Sequence, residues 1–389
     1  MSASFVYDAV RTPFGRLGRS LSGIRPDDLA AGVITGLIER HPELDTARID
    51  EVLLGDANQA GEDNRNVARM AALLAGLPVS VAGATVNRLC GSGMEAAIQA
   101  SRAIETGDAR LQIAGGVESM SRAPWVMLKP SRAFPAGHET MHSTTLGWRM
   151  TNPRMPDQWT VSLGETAEIL ADRFSISREE QDRFALASHR RAAEAWDRGV
   201  FAEETVAVPG VALERDEGIR ADTSLEALAG LAPAFREAGT VTAGNSSPLS
   251  DGAAALLIGA EGALPDEPLA RIAGRGVAAN EPHLFGIAPV EAANRALARA
   301  GRTWQDVDVL ELNEAFAAQS IACLRSWPEL DPAAVNIHGG AIAIGHPLGA
   351  SGARVLGHVA HELRRRGGGV GVAAICIGVG QALAVVLER

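Results

Sequence analysis

Short apolar runs alternate along this chain with longer amphipathic stretches. The first third predicts strands over residues 3–8, 51–54 and 81–86, separated by helices from Pro26 to Arg40 and from Asn66 to Ala75. Apolar residues that recur every three to four positions favour helices, whereas short Val, Ile and Leu runs favour buried strands. This order predicts an α/β fold.

The last third of the chain repeats part of this order. The repeated elements are a strand at 271–273, a proline-started helix at 289–300, a strand at 308–313 and a closing strand at 370–375, which corresponds to a closing strand at 111–114. A unit that recurs in this way indicates a duplicated core. Two similar halves would bring equivalent helix starts toward one cleft.

The middle of the chain has a different texture. Residues 122–160 carry Pro, Trp, Met, His and Ser with no clean period, and Ser177 to Glu180 is a capping box that opens a helix ending near Arg198. We expect this segment to be a loop domain inserted in the duplicated core. The predicted units are an N-terminal half at 1–119 plus 247–268, a loop domain at 120–246 and a C-terminal half at 269–389.

Composition narrows the function classes. The 389 residues are 46% apolar and 21% charged, which is typical of a soluble globular protein of two or three units. A net charge of −11 gives no reason to expect a nucleic-acid partner. The longest apolar stretch, Val370 to Val379, is too short to cross a bilayer, and we expect no signal peptide because a strand-like segment follows Met1 without a basic region and an apolar core. Three cysteines without a C-x-x-C pair indicate neither disulfides nor a metal site, and fit the cytoplasm.

Residues 87–94 place Cys90 among small residues between a predicted strand and a helix. Free backbone N–H groups and the positive end of a helix dipole favour a thiolate at such a position. The same N–H groups could bind an oxyanion. Cys90 is therefore either a nucleophile or a buried thiol at a close strand-helix contact.

His346 ends an apolar, strand-like run that starts at Gly339 and finishes in a Gly-His-Pro turn. It stands in the second half where Cys90 stands in the first. An imidazole beside a thiol supplies the base that activates it. The alternative is a hydrogen-bonded structural histidine.

Two further residues carry open alternatives. Cys376 precedes Gly378 at the end of a buried strand, and is either a core thiol or a proton carrier close to the first thiol. Asn313 opens a helix after a buried strand, as a cap or as a site residue. Cys323 lies in a helical pattern and is interpreted as core. A nicotinamide or nucleoside triphosphate site is not favoured, since the chain has neither a P-loop nor a clean G-x-G-x-x-G.

Taken together and in this order, these segments resemble the thiolase family of coenzyme A-dependent acyltransferases. The matching motifs lie at 87–93, 115–121, 313–317, 339–352 and 376–378. The resemblance implies a duplicated five-layer α/β/α/β/α core with an inserted loop domain, and a homodimer or homotetramer. It also implies acyl-CoA substrates and no tightly bound cofactor, with coenzyme A acting as a substrate.

The same resemblance implies roles for the candidate residues. Cys90 would take the acyl group from a CoA thioester, and His346 would activate Cys90. Cys376 would move the α-proton of the acetyl unit. Asn313 would hold a water that forms an oxyanion hole with His346, and the backbone N–H groups of Cys90 and Gly378 would form a second.

The resemblance is weaker for coenzyme A contacts. Ser247 is similar to a residue that contacts pantetheine, and Arg220 to a loop-domain arginine near the nucleotide. Val379 stands where glycine is frequent in the family, and we expect a negative φ there because valine strongly prefers it.

Substrate choice rests on two segments, 61–69 and 144–153, which are similar to those of 3-oxoadipyl-CoA thiolases. Such a substrate carries a distal carboxylate, which Arg65 or Arg149 could bind. Ser162 replaces a histidine found in many acetoacetyl-type members. The alternatives are an acetoacetyl-CoA or fatty 3-ketoacyl-CoA thiolase, acting in cleavage or in condensation, and a non-catalytic protein that binds acyl-CoA or lipid. A decarboxylating ketoacyl synthase is disfavoured by Cys376.

Overall fold

The computed structural model describes residues 3–389. Its main mixed sheet is continuous, and its two halves form two layers with helices between them and on their outer faces. The strands are β1 (Ser4–Arg11), β2 (Gly15–Arg16), β3 (Glu51–Gly55), β4 (Ala82–Val86), β5 (Leu111–Ser119), β6 (Trp125–Met127), β7 (Met141–Ser143), β8 (Ser250–Ala260), β9 (Ala270–Ala279), β10 (Val309–Leu312), β11 (Val370–Ile377) and β12 (Gln381–Glu388). The helices are α1 (Pro26–Glu39), α2 (Val67–Leu74), α3 (Ser92–Thr106), α4 (Leu163–Arg173), α5 (Arg178–Asp197), α6 (Leu225–Ala229), α7 (Ala288–Ala300), α8 (Ala317–Arg325), α9 (Ala341–Ile344) and α10 (Leu348–Arg366). Within residues 3–389, no helix has both the length and the apolar content needed to cross a membrane.

The order of strands in the main sheet reflects the duplication. It runs β10-β11-β12-β9-β1-β8-β5-β3-β4, with β2 added to β8. Reading outward from the central β9-β1 pair gives equivalent strands on each side, with parallel pairs only toward the two edges. The halves join where Phe5 pairs with Arg271 and Val6 with Ala270.

Two helices lie in the middle of the layers. Side chains of α3, such as Ile98, and of α10, such as Leu356, share one buried cluster with Leu256 of β8 and Ile375 of β11. Helices α1 and α2 cover the other face of the first half, and α7 and α8 cover that of the second half. The predicted α/β/α/β/α layering is confirmed.

The segment between β5 and β8 contains three helices and one small hairpin. The hairpin pairs β6 with β7, and most of residues 122–160 has no regular structure, as the sequence predicts. The capping box at Ser177 is present and opens α5. Helix α4 packs on α8 and α5 packs on α9, so the segment rests on the C-terminal half of the core.

The prediction of a strand-like run before His346 is wrong. Ala341 to Ile344 forms a single helical turn, α9, and not a strand. Glycines at positive φ flank it, with Gly339 at +75° and Gly345 at +118°. A short, fully buried apolar run has no periodicity that distinguishes strand from helix, so only the surrounding structure decides.

Candidate active site

Cys90 lies in a tight turn between β4 and α3. The Asn87 carboxamide oxygen accepts a hydrogen bond from the Leu89 N–H at 3.0 Å. The Ser92 hydroxyl accepts from the Arg88 N–H at 2.9 Å and donates to the Leu89 carbonyl at 2.6 Å. Leu89 has a φ of +47°. These side chains replace the backbone hydrogen bonds that the reversal leaves unmade, and they fix the position of the sulfur.

The electrostatics of Cys90 contradict one expectation. Burial raises the pKa of its thiol to about 11; the Gly378 N–H, which donates to the sulfur, lowers that pKa, and the Glu118 carboxylate raises it. A helix start favours thiolate, but desolvation of the charge is the larger effect here. In the resting protein Cys90 is a thiol, and a base has to remove its proton.

His346 occupies the turn between α9 and α10. Its Nδ1 lies 2.7 Å from the Ser351 hydroxyl oxygen, and its backbone N–H donates to the Ser250 hydroxyl at 3.1 Å. The Nε2 atom is buried and, within residues 3–389, has no hydrogen-bond partner. Burial, with a smaller contribution from the Arg354 charge, lowers the pKa of His346 to about 3. The ring is therefore neutral, and it can hold a proton only while a negative charge lies beside it, as when Cys90 has lost its own proton.

Close backbone contact brings the two turns together. A Cβ atom on Gly93, in the first turn of α3, would lie 2.6 Å from the Gly349 carbonyl oxygen, in the first turn of α10. A Cβ atom on Gly352 would lie 2.4 Å from the Met94 nitrogen. Only glycine permits such approach. Cys90 and His346 precede these two helices, so the contact places both at the same end of the core.

Cys376 and Gly378 lie at the end of β11. Cys376 is buried against an apolar group from four other segments: Leu163, Ala167, Val241, Phe285 and Phe316. Burial raises the pKa of Cys376 well above its usual value, and the neighbouring Cys90 raises it further. With the Gly378 N–H on the Cys90 sulfur, the end of β11 and the Cys90 turn form one site.

The expected negative φ of Val379 is also wrong. Its φ is +68°, in the left-handed region, whereas a negative value is expected for valine. The turn between β11 and β12 leaves no alternative, because Ile377 pairs with Gln381 directly across it. The requirement for a tight reversal beside the site therefore overrides the local preference of a β-branched residue.

Asn313 follows β10, which runs parallel to β11. Its backbone N–H donates to the Ala374 carbonyl at 2.9 Å, two residues before Cys376. Asn313 is fully buried, and within residues 3–389 neither its Oδ1 nor its Nδ2 has a hydrogen-bond partner. It is not a helix cap, since the cap of α8 is Phe316. A buried carboxamide with both groups unpaired is suited to hold a water or a ligand.

The two residues expected to contact coenzyme A lie on segments that meet, since the Cβ position of Gly218 is 3.6 Å from a Pro248 ring carbon. Ser247 is half-buried, and both its N–H and its hydroxyl donate to the Ala315 carbonyl, at 3.0 and 3.1 Å. It therefore borders the Asn313 segment. Arg220 is exposed, and its backbone N–H donates to Nδ1 of His189 at 3.2 Å.

Three residues were expected to govern specificity. Arg65 and Arg149 are exposed, on the loop before α2 and on the segment between β7 and α4, and neither forms an ion pair within residues 3–389. The Trp148 indole N–H donates to the Val161 carbonyl at 3.0 Å. This bond holds Trp148, the residue before Arg149, against the segment that leads into α4. Ser162 caps α4 by accepting from the Glu165 N–H.

Sequence reasoning missed Glu118 as an individual site residue. Its carboxylate accepts backbone hydrogen bonds from Ala57 at 3.0 Å, Asn58 at 3.2 Å and Gly349 at 2.9 Å. It thereby links the loop after β3 to the start of α10. Burial raises the pKa of Glu118 to about 7. The available signal was an acidic residue in a fully buried strand, which is rare without a specific partner.

Comparison with known proteins agrees with this geometry. The family model for the thiolase N-terminal domain matches residues 4–262, and that for the thiolase C-terminal domain matches residues 266–389. The chain belongs to the thiolase family. Thiolases are acyltransferases that act on coenzyme A thioesters, so this chain is an enzyme of that class.

Similar proteins cover the chain from end to end. A β-ketoadipyl-CoA thiolase of Escherichia coli is 54% identical over 100% of both chains, and one of Pseudomonas aeruginosa is 51% identical over 99% of this chain and 98% of its own. The crystal structure of human mitochondrial 3-ketoacyl-CoA thiolase in complex with CoA has a TM-score of 0.93 at 38% identity, covering 100% of this chain and 98% of that one. The acetyl-CoA acetyltransferase of Bacillus anthracis gives the same score and identity, covering 100% and 99%.

Proposed function

We propose that this thiolase cleaves 3-oxoadipyl-CoA with coenzyme A, giving acetyl-CoA and succinyl-CoA. The observation that carries the reaction type is the pair of buried thiols, Cys90 and Cys376, with the unpaired Nε2 of His346 at the same end of the core. The substrate is supported by full-length relatives that bear the name β-ketoadipyl-CoA thiolase at 50 to 54% identity.

The first half-reaction transfers an acyl group to the protein. His346 Nε2 takes the proton from Cys90, and the thiolate attacks the 3-oxo carbon of the substrate. The bond between C2 and C3 then breaks, and its electron pair goes to the departing acetyl-CoA enolate. Cys376 gives its proton to that carbanion, which leaves a succinyl thioester on Cys90 and a thiolate at Cys376.

The second half-reaction returns the site to its starting state. The Cys376 thiolate takes the proton of the coenzyme A thiol, and the resulting thiolate attacks the succinyl thioester. The C–S bond to Cys90 breaks, and Cys90 recovers the proton held by His346. The high pKa of Cys376, caused first by its burial, suits a group that gives and takes protons from weak acids.

Both steps develop negative charge on oxygen. We assign one oxyanion hole to the backbone N–H groups of Cys90 and Gly378, because the Gly378 N–H already points at the sulfur. The second would be formed by His346 and a water bound to the unpaired Asn313 side chain. Loss of one such donor typically costs about two to three orders of magnitude in rate.

Coenzyme A would reach this site past Ser247, with Arg220 nearer the nucleotide. Between the two specificity arginines we favour Arg149. Its neighbour Trp148 is hydrogen-bonded to Val161, two residues before Leu163. A Leu163 methyl in turn lies 3.7 Å from where a Cβ atom on Gly378 would be. This chain of contacts from its neighbour is the support for placing Arg149 on the acyl side of the site.

We further propose a homodimer or homotetramer. The exposed apolar side chains around β6 and β7, which we call the hairpin patch, are of the kind that marks an interaction surface. The hairpin patch consists of Trp125, Met127, Leu128, Phe134 and Met141, with exposed fractions of 66, 54, 61, 91 and 58%. A second copy of this chain is the proposed occupant.

The domain division proposed from the sequence remains a loop domain at 120–246 between two thiolase halves. Three free cysteines, two of which must stay reduced to act, suit a cytoplasmic enzyme.

The decisive experiment incubates the purified protein with 3-oxoadipyl-CoA and coenzyme A and measures the thioester products by mass spectrometry. Acetyl-CoA, succinyl-CoA and a succinyl adduct on the Cys90 peptide are expected, and Cys90→Ser should give none of them. Cleavage of acetoacetyl-CoA but not of 3-oxoadipyl-CoA would refute the substrate. Full turnover by Cys90→Ser would refute the mechanism.

A further inference from the structure

One buried side chain outside the proposed catalytic set contacts the imidazole directly. Ser351 lies in the first turn of α10 and has no exposed surface. Its hydroxyl oxygen is 2.7 Å from His346 Nδ1 and 3.0 Å from the Pro347 carbonyl oxygen, four residues earlier. Both distances are those of ordinary hydrogen bonds.

The Ser351 hydroxyl has one hydrogen and two neighbours, the Pro347 carbonyl oxygen and His346 Nδ1. Both contacts are hydrogen bonds only if the hydroxyl donates to Pro347 and accepts from Nδ1. A serine hydroxyl has one hydrogen, and a carbonyl oxygen can only accept. When the Ser351 hydroxyl donates to Pro347, its lone pair is left to accept, and Nδ1 must then carry the hydrogen. A neutral imidazole has one N–H, so Nε2 is left with a free lone pair.

The rest of the surroundings agrees with this assignment. His346 is neutral, because burial lowers its pKa to about 3. Its Nε2 has no hydrogen-bond partner within residues 3–389. No acceptor among these residues therefore stabilises the tautomer with hydrogen on Nε2. The backbone N–H of this residue donates to the Ser250 hydroxyl and so leaves the ring free of that contact.

We propose that Ser351 is a positioning residue that holds His346 in the tautomer with hydrogen on Nδ1, so that Nε2 is the base for the Cys90 thiol. This inference rests on the proposed function. It adds a residue that acts only through His346 and touches no substrate. Without the hydroxyl, the ring would populate the other tautomer, which presents a hydrogen to Cys90 and cannot accept its proton.

The chain offers a matched control in Ser320. This serine is also fully buried in a helix, and its hydroxyl lies 3.2 Å from the carbonyl oxygen of Phe316, again four residues earlier. Its other hydrogen-bond partner in the described part of the chain is the Gln319 side-chain oxygen, at 3.5 Å, and not a histidine. Ser351→Ala and Ser320→Ala therefore remove the same kind of buried hydroxyl, and only the first removes the bond to the imidazole.

The experiment compares both variants in two assays at pH 7.5. Ser351→Ala should lose about 10- to 100-fold in kcat with little change in KM, by analogy with the loss when a residue that orients a metal-bound histidine is removed. Alkylation of Cys90 by iodoacetamide should slow in parallel, and Ser351→Thr should restore part of both. Ser320→Ala should keep both rates. Equal losses in the two alanine variants, or normal rates in Ser351→Ala, would overturn the proposal.

A measurement on the wild-type protein covers the case in which a variant does not fold. Nitrogen NMR of protein labelled at histidine, with His346 assigned through His346→Gln, reports which ring nitrogen carries hydrogen. Hydrogen on Nδ1 is expected, and hydrogen on Nε2 would refute the assignment. Alkylation and NMR need no acyl-CoA, so an error in the proposed substrate would leave their outcome unchanged.

Discussion

The carbonyl oxygen of Gly349 lies 2.6 Å from the position that a Cβ atom on Gly93 would occupy. It also lies 2.0 Å from the Cβ position of Gly116 on β5. One backbone group of the second half is thus enclosed by two glycines of the first half. The relative position of Cys90 and His346 depends on this contact, because each lies a few residues before one of the two touching helices.

Gly93→Ala should separate the two helix starts. A methyl group has no space there, so we expect a loss of about 1–3 kcal/mol in the free energy of unfolding and a fall in kcat. Gly32→Ala is the control, because it lies within α1 and its Cβ position has no atom within 4 Å. That variant should gain about 0.5–1 kcal/mol in urea unfolding. A stable, fully active Gly93→Ala would contradict the close approach.

Glu118→Gln should make Cys90 more acidic. The Glu118 carboxylate raises the pKa of that thiol, so removing its charge should lower the pH at which iodoacetamide alkylation reaches half its maximum. Two carboxyl groups, Asp56 and Asp63, face Glu118 and remain in the variant. Glu105→Gln is the control. It removes a carboxylate in the last turn of α3 that pairs with Arg275, and it should leave the pH profile of alkylation unchanged. An unshifted profile in Glu118→Gln would exclude the interaction.

His189 should make the protein less stable in acid. Burial, and then the Arg220 charge, lowers the pKa of His189 to about 4. Between that value and the unfolded value of about 6.5, the unfolded chain binds a proton that the folded chain does not, so stability falls as pH falls. His189→Asn keeps an acceptor for the Arg220 N–H and removes the titration.

Urea unfolding of the His189→Asn variant should therefore depend less on pH. Below pH 6.5, the wild type should lose up to about 1.4 kcal/mol more per pH unit than the variant. The comparison is made from pH 7.5 to the lowest pH at which both proteins refold. Parallel curves for the two proteins would show that His189 does not titrate on unfolding.

Arg149→Gln should reduce the preference for a substrate with a distal carboxylate. A hydrogen bond to a charged group contributes about 2 kcal/mol, so kcat/KM for 3-oxoadipyl-CoA should fall about 30-fold. The value for acetoacetyl-CoA should not change. Arg154→Gln, at another exposed position of the same segment, is the control. If Arg65→Gln alone changes the ratio, the assignment moves to Arg65; if neither does, both arginines are excluded.

The hairpin patch should control assembly. Trp125→Ser with Phe134→Ser removes its two aromatic side chains, which are 66% and 91% exposed. Light scattering should then report a smaller oligomer than the wild type at the same concentration. Leu17→Ser changes a separate exposed side chain and should leave the mass unchanged. A wild-type protein that is already monomeric would refute the proposed occupant.

Local rules predicted the elements of this fold well, because strands and helices here follow ordinary periodicity and capping. The turn at Cys90 was predictable from the small residues around it. The run at 341–344 was not, since a buried four-residue segment has no period. Val379 was misjudged because pairing across a reversal imposed its φ.

The site was predictable only where a residue type itself implies chemistry. Cys90, His346 and Cys376 are reactive side chains in unusual contexts. Asn313 could not be separated from a helix cap without the register of β10 on β11, which leaves its carboxamide unpaired. Glu118 bonds to Gly349, 231 residues away, and no local pattern encodes that contact.

The high pKa of Cys90 has a consequence for the durability of the protein. Peroxides and other oxidants react with thiolates far faster than with thiols. Because burial is the main cause of a pKa of about 11, the sulfur is protonated whenever no substrate is being processed. The cysteine on which turnover depends is thus unreactive toward oxidants between catalytic events. It is open to oxidation only during the brief interval in which it is deprotonated.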